Sequence, residues 1–280
     1  MSRVVVAGGG ISGLAAAYRL AGAGVDVMLI ESAPAVGGKL RVSDVAGVPV
    51  DEGAEMFLRR VPEALDLVSE LGRADELVSP RTSTASVWAR GALRPMPAGT
   101  VMGLPSRAAA LRGVLSDAET ARVELDRLLP GSAPGEDVSV GRWVGHRVGR
   151  AVVERLVDPL LGGVYAGRAD ELSLAATIPQ LPRDERSVLA AARRALPPVS
   201  STEPVFATLT GGMGSLPGSV ADAIGTRGGE ILTGRAVREL ARTSTGWRVV
   251  HGATTDEQAV EADAVVVALP PAPAARLLAE

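Results

Sequence analysis

Cysteine is absent from this 280-residue sequence. That excludes disulfides, thiolate metal sites and a cysteine nucleophile, and it fits a reducing compartment. Histidine is almost as scarce: His146 and His251 are too little material for a histidine metal centre and argue against a Ser–His–Asp triad. Aromatic residues make up 2% of the chain, and Lys39 is the only lysine among 29 basic residues. With so much alanine, that imbalance reflects base composition, so the arginines are not each read as chosen for their chemistry. No apolar run reaches the roughly 18 residues of a membrane-spanning helix. The longest uncharged stretch, Val205 to Ala221, is broken by four glycines and a proline. A strand that begins at Arg3 leaves no room for the parts of a signal peptide, so none is expected.

What remains is an apolar chain, 46% hydrophobic with a net charge of −3. Such a chain can bury enough surface to fold as one large domain or two ordinary ones. Arg3 to Ala7 is a short β-branched run that reads as a buried strand. Leu14 to Ala23 reads as a helix and Val25 to Ile30 as a second strand, giving a βαβ unit. Val42 to Val50 predicts a hairpin around Ala46-Gly47, and Pro62 opens a helix that runs to about Leu71 and ends at Gly72.

Beyond residue 78 the texture changes. Val87 to Leu93 reads as a hairpin, and residues 106–196 as several helices, with Ser116 before Asp117 and Glu119 as an N-cap signature. From about Pro204 strands return: Val205–Leu209, Glu230–Leu232, Ala236–Leu240, Trp247–His251 and Ala264–Ala268, with a helix over Leu216–Ile224. The expected organisation is a nucleotide-binding layer, residues 1–78 and 202–280, interrupted by a helical insertion at 79–201. Residues 79–200 carry 16 arginines against 12 acids while the flanking segments are acidic. A basic insertion would favour an anionic ligand, although charges scattered on solvated helix faces account for the same excess.

The strongest local signal is Gly8-x-Gly10-x-x-Gly13 between a strand and a helix. The first glycine permits the tight turn, the second lets backbone approach a pyrophosphate, and the third lets the helix pack against the strand. Glu31 follows Gly13 by 18 residues, where a carboxylate can accept both ribose hydroxyls. An acid there makes NADP the poorest fit. A second glycine pair, Gly37-Gly38, followed by Lys39, suits a tight turn beneath a pyrophosphate, which an NAD-only unit does not need; a plain turn into the hairpin is its simpler alternative.

Gly8 to Gly13, Glu31, Gly37-Gly38-Lys39 and Val50-Asp-Glu-Gly-Ala-Glu-Met-Phe-Leu58 together resemble the FAD-binding start of the flavin amine oxidase superfamily. Asp158-Pro-Leu-Leu-Gly-Gly-Val-Tyr-Ala-Gly167, Gly91-Ala-Leu-Arg-Pro-Met-Pro97 and Thr208-Leu-Thr-Gly-Gly-Met-Gly-Ser-Leu-Pro217 resemble its protoporphyrinogen/coproporphyrinogen oxidase branch, most of all the coproporphyrinogen III oxidases of Gram-positive haem synthesis. The resemblance covers most of the chain. It implies an α/β fold in which a Rossmann-like FAD-binding domain of the GR2 type is interrupted by a mostly helical substrate domain.

The resemblance also implies site residues. Gly8, Gly10 and Gly13, with the amides of Ile11 and Ser12, would hold the pyrophosphate. Glu31, with Ser32 beside it, would hold the adenosine ribose. Gly38 and Lys39 would lie by the phosphates and ribityl chain, and Gly53, Ala54, Glu55 and Met56 under the isoalloxazine. Val237 matches the position whose backbone contacts adenine, and it reads equally well as a core valine in a strand. No catalytic side chain and no metal ligand stand out.

Two departures matter. A basic residue expected just before the Gly91 hairpin is Ala85 here, with Arg90 and Arg94 nearby. The C-terminal Gly-Asp segment with which the family closes its flavin site has no match after Ala264–Ala268, so the closing segment is expected to be absent from this sequence.

The implied activity is FAD-dependent oxidation of coproporphyrinogen III to coproporphyrin III, with O2 as acceptor, in the cytoplasm. The anionic macrocycle would lie between flavin and insertion, with Arg59, Arg90 and Arg168 as candidates for its propionates. The alternatives are a protoporphyrinogen IX oxidase, a flavin enzyme acting on an amine or a carotenoid precursor, and a truncated, non-catalytic dinucleotide-binding remnant. Seven aromatic residues are few for an amine oxidase's aromatic cage. A nucleic-acid partner is not expected from a negative chain without a basic–aromatic stripe. Nothing supports integral membrane insertion or more than weak peripheral association, and oligomeric state leaves no mark on the sequence.

Overall fold

A computed structural model describes residues 2–82, 84–135, 137–196 and 204–279. The chain divides into two compact units, one made of residues 1–81 and 203–280, the other of residues 82–202.

The first unit is built on a parallel sheet. β1 (Arg3–Ala7) leads into α1 (Ile11–Gly22) and β2 (Asp26–Ile30), then into a hairpin of β3 (Val42–Val45) and β4 (Val48–Asp51). After the second unit the chain returns as β5 (Phe206–Leu209), α2 (Leu216–Thr226), β6 (Glu230–Leu232), β7 (Val237–Arg242), β8 (Trp247–Ala253), β9 (Asp256–Ala262) and β10 (Ala264–Val267). The main sheet has the order β6-β2-β1-β10, all parallel, with Val5 aligned to Met28 on one side and to Val265 on the other.

Both faces of this sheet are covered, which is why β1 reads as an unbroken β-branched run rather than an alternating one. Val6 and Leu29 pack with Leu14, Tyr18, Val220 and Ile224 of α1 and α2 on one face. Val5 and Ile30 pack with Val249 and Ala262 of the antiparallel meander β7-β8-β9 on the other. Arg227 fastens α2 to α1: its guanidinium stacks 3.8 Å from the centre of the buried Tyr18 ring and donates to the Tyr18 carbonyl at 3.1 Å.

Among the elements that differ from the sequence reading are α1 and β9. α1 begins at Ile11, three residues before the expected Leu14, because tertiary packing keeps Gly13 helical despite its poor propensity. β9 has no counterpart among the expected strands. Asp-Glu-Gln-Ala-Val-Glu-Ala is too polar to show strand alternation, and it forms the outer edge of the meander, where polar residues are normal.

The second unit holds a two-stranded hairpin (Ser86–Ala89 with Ala92–Pro95) and helices at Asp117–Glu124, Val140–Val148, Asp158–Tyr165 and Val188–Ala195. Its core gathers Leu104, Leu111, Val144, Leu156, Leu161 and Leu189. Within it lies a buried ion pair. Arg147 Nε donates to Asp126 Oδ1 at 2.9 Å, with the two side chains 3% and 0% exposed. Asp126 Oδ2 also accepts from the Ser187 hydroxyl (2.6 Å) and the Leu189 amide (3.0 Å), and Arg147 also donates to the Leu129 and Pro130 carbonyls. One arginine of the insertion is therefore structural and not part of a solvated face. The pair's bonds together tie residues 126–130, 147 and 187–189.

Ser116 caps the Asp117–Glu124 helix in a reciprocal capping box with Glu119. The Arg155 guanidinium, 2.6 Å away, and the Ser116 amide hold the Glu119 carboxyl well below its usual 4.5, at about 2. A depressed folded-state value stabilises above the unfolded value and loses that stability as pH falls. Glu119→Gln is expected to melt below the unaltered protein at pH 7, with the gap closing between pH 4.5 and about 2, as checked by thermal unfolding across that range. Asp126→Ala leaves a buried arginine uncompensated, and urea denaturation should show a loss of about 3–5 kcal/mol from the second unit.

Candidate functional site

The site is built where β1 turns into α1. The Gly8 amide donates to the Ile30 carbonyl at 2.8 Å, and a Cβ on Gly8 would stand 2.6 Å from the Ala268 carbonyl oxygen. A Cβ on Gly13 would overlap the carbonyl oxygen of Gly8. These two glycines are required by the protein's own packing. Gly10 is not: its φ is −69°, accessible to any residue, and a Cβ there would meet nothing within 4 Å. The space beside Gly10 is therefore not required by the protein's own packing.

That room faces an uncompensated helix terminus. Gly10 caps α1 with no side-chain hydrogen bond, and the first turn holds no acid. The first intrahelical bond runs from the Leu14 amide to the Gly10 carbonyl, so the amides of Ile11, Ser12 and Gly13 precede it. Together with the helix dipole they suit a pyrophosphate.

Glu31, at the end of β2, lies back across this loop. Its Oε2 accepts from the Gly9 amide at 2.6 Å, and Oε1 accepts from the Ala33 amide at 2.7 Å and the Ser32 hydroxyl at 3.1 Å. Spacing along the chain does not single out Gly9, whose role shows only here: a Cβ would crowd the Glu31 side chain at 2.9 Å. Its one sequence signal is the unbroken run Gly8-Gly9-Gly10.

The second glycine pair is laid over the first loop. The Gly37 amide donates to the Gly9 carbonyl at 2.8 Å, and a Cβ on Gly38 would lie 3.1 Å from Gly10 Cα. Lys39 is exposed, and its carbonyl would be 2.8 Å from a Cβ on Gly53, so the stretch Gly53 to Met56 starts against it. Ala54, Glu55 and Met56 are exposed. Val237 lies at the other end. It lines a cleft of about 420 Å³ with Ile30, Ser32, Leu269 and Arg276, and the Arg235 amide joins this strand to the Glu31 carbonyl at 2.9 Å. Behind Val237, in register on β8, is His251; burial, and secondarily Arg235, lower its pKa, opposed by Glu230. The structure thus brings Gly8 to Gly13, Glu31, Ser32, Gly38, Lys39, Gly53 and Val237 to the carboxyl-terminal edge of the parallel sheet, where α/β folds bind ligands.

Of the arginines considered for an anionic substrate, Arg90 donates to the Leu115 carbonyl at 3.1 Å, Arg168 is exposed, and Arg59 is half-buried, with its amide on the Val205 carbonyl. Among the described residues no cluster of three or more His, Cys, Asp or Glu could hold a metal ion, and no helix is long and apolar enough to cross a membrane.

Residues 11–280 match the family of flavin-containing amine oxidoreductases. The chain belongs to this family. FAD is the cofactor that goes with this family, and the residues present suit it: room beside Gly10, amides that precede the first intrahelical bond of α1, a carboxylate at the end of β2 and a cleft between Ile30, Val237 and Leu269. Among similar proteins, the coproporphyrinogen III oxidase of Mycobacterium leprae is 38% identical over 98% of this chain and 60% of its own length. That of Bacillus subtilis is 33% identical over 99% and 62%. A crystal structure described as a protoporphyrinogen oxidase, from Exiguobacterium sp. 255-15, superposes with a TM-score of 0.83 at 29% identity, over 100% of this chain and 62% of that one. The chain therefore spans about 60% of the length of the curated relatives it matches.

The contrast among the three glycines is testable. Gly10→Ala should melt within about 4 °C of the unaltered protein, the scale of a 1 kcal/mol change, yet bind ADP at least about tenfold more weakly. Gly13→Ala should unfold at a clearly lower temperature, because it collides with Gly8. Thermal melts paired with ADP titration check both.

Proposed function

We propose that this protein serves the FAD-dependent oxidation of coproporphyrinogen III to coproporphyrin III, with O2 as electron acceptor, in haem biosynthesis. The observation that carries the reading is the cradle around Gly10, in a chain whose relatives bear that activity in their names. Bound FAD supplies two-electron redox chemistry that no side chain of a cysteine-free protein can supply.

The protein's part is to bind, orient and neutralise. The Ile11, Ser12 and Gly13 amides would donate hydrogen bonds to the pyrophosphate, and Glu31 and Ser32 would hold the adenosine ribose. Val237 would contact the adenine, Lys39 would add positive charge by the phosphates, and Gly53 to Met56 would support the ring system. No side chain is assigned as general acid or base, since the pyrrole nitrogens of the substrate can pass protons to water themselves. Arg59, Arg90 and Arg168 are the candidates to meet the carboxylates of the macrocycle.

The likeness to a structure described as a protoporphyrinogen oxidase keeps the less polar porphyrinogen as a second substrate reading. Purified protein supplied with FAD and air should raise porphyrin fluorescence faster with coproporphyrinogen III than with protoporphyrinogen IX, releasing peroxide. A higher rate on protoporphyrinogen IX would favour the second reading. No rate above autoxidation on either would overturn both.

A further inference from the structure

Asp51 ends β4 and reaches across the first unit to a loop far along the chain. Its carboxylate accepts from the Met213 amide at 2.9 Å and the Gly214 amide at 2.8 Å, 162 and 163 residues away. These amides open the turn Met213–Ser215 that leads into α2, so a fixed negative charge meets the start of a helical run. A Cβ on Gly212 would come within 2.7 Å of Asp51 Oδ2, so the loop is shaped to the carboxylate.

Arg73 grips the same loop from another side. It donates to the Ser215 carbonyl (3.1 Å), the Ser215 hydroxyl (3.0 Å) and the Ser219 hydroxyl (3.0 Å), while pairing with Glu76 at 2.6 Å. The loop is therefore a fixed anchor, and Asp51 ties the chain around it.

Immediately after Asp51 the chain enters the stretch assigned to the flavin ring. The Glu52 amide donates to the Arg41 carbonyl at 2.9 Å, and Gly53 then packs against the Lys39 carbonyl. The other end of that segment, Gly37, lies against Pro217 of the anchored helix and carries the turn over Gly10. The Asp51 carboxylate thus ties the approach to residues 53–56 to the loop before α2, while the turn at Gly37 rests on Pro217 and Gly9 without it.

We propose that Asp51 is a positioning residue for the flavin half of the cofactor. The inference rests on the FAD-binding reading above and deepens it. The carboxylate touches no reacting atom; it fixes where residues 53–56 stand relative to the cradle. A residue that merely stabilised the unit would weaken every ligand equally. A positioning residue splits the two halves of the ligand.

The test uses the full chain with Asp51→Asn, which keeps one accepting oxygen and turns an amide NH2 toward the other donor. Asp51→Glu, which keeps the charge but lengthens its reach, carries the same comparison should the asparagine variant not fold. Binding of FAD and of ADP is titrated by fluorescence, and backbone hydrogen exchange is followed without ligand. The expected result is FAD binding at least about tenfold weaker with ADP binding within about twofold of the unaltered protein. Exchange should quicken at residues 52–56 and stay unchanged at 8–13. Parallel losses for FAD and ADP, or unchanged FAD binding despite quicker exchange at 52–56, would overturn the proposal. An unaltered chain that binds ADP but no FAD would instead overturn the FAD reading itself, a failure visible before any variant is made.

Discussion

The first unit depends on how closely α1 is drawn against β1. Gly13 packs so tightly on the carbonyl of Gly8 that no side chain fits between them. This fixes the helix start at the end of the sheet, aims three early amides outward, and leaves the ground beside Gly10 clear. The Glu31 carboxylate then latches the Gly9 amide, which sets β2 and the loop in one register. The glycine pair at 37–38 lies so close over Gly10 that a Cβ on Gly38 would stand 3.1 Å from the Gly10 Cα. Each later feature of the site relies on the one before it.

The parts of this arrangement that are legible in the sequence are the local ones. Gly8, Gly10, Gly13 and Glu31 lie within a single βαβ unit, where spacing along the chain translates directly into spacing in space. The hairpins at 42–51 and 86–95 are legible for the same reason, since each turns on a short glycine-containing link. Gly9 is hidden because its neighbour Glu31 becomes visible only once the loop is folded. Asp51 is hidden more deeply: its partners lie more than 160 residues away, beyond the whole second unit in the sequence. β9 escapes notice because an exposed edge strand needs no apolar alternation to hold its place.

The second unit rests on different physics. Its centre is a fully bonded Arg147–Asp126 pair inside an aliphatic core, where an unpaired partner would be costly. Composition conceals this, since a chain with one lysine and many arginines gives no hint of which arginine is buried. The two units are thus held by different chemistry, the first by close backbone packing at its glycines and the second by a buried ion pair in an aliphatic core.

The claim on which the rest stands is that the Glu31 carboxylate and the amides beside Gly10 form a dinucleotide cradle. Calorimetric titration of ADP into the purified protein and into Glu31→Gln tests it most directly. The account requires a single ADP site, weakened about tenfold in the variant, since the amide of glutamine cannot accept the second ribose hydroxyl. Equal affinity in both proteins, or no ADP binding by the unaltered chain, would contradict it.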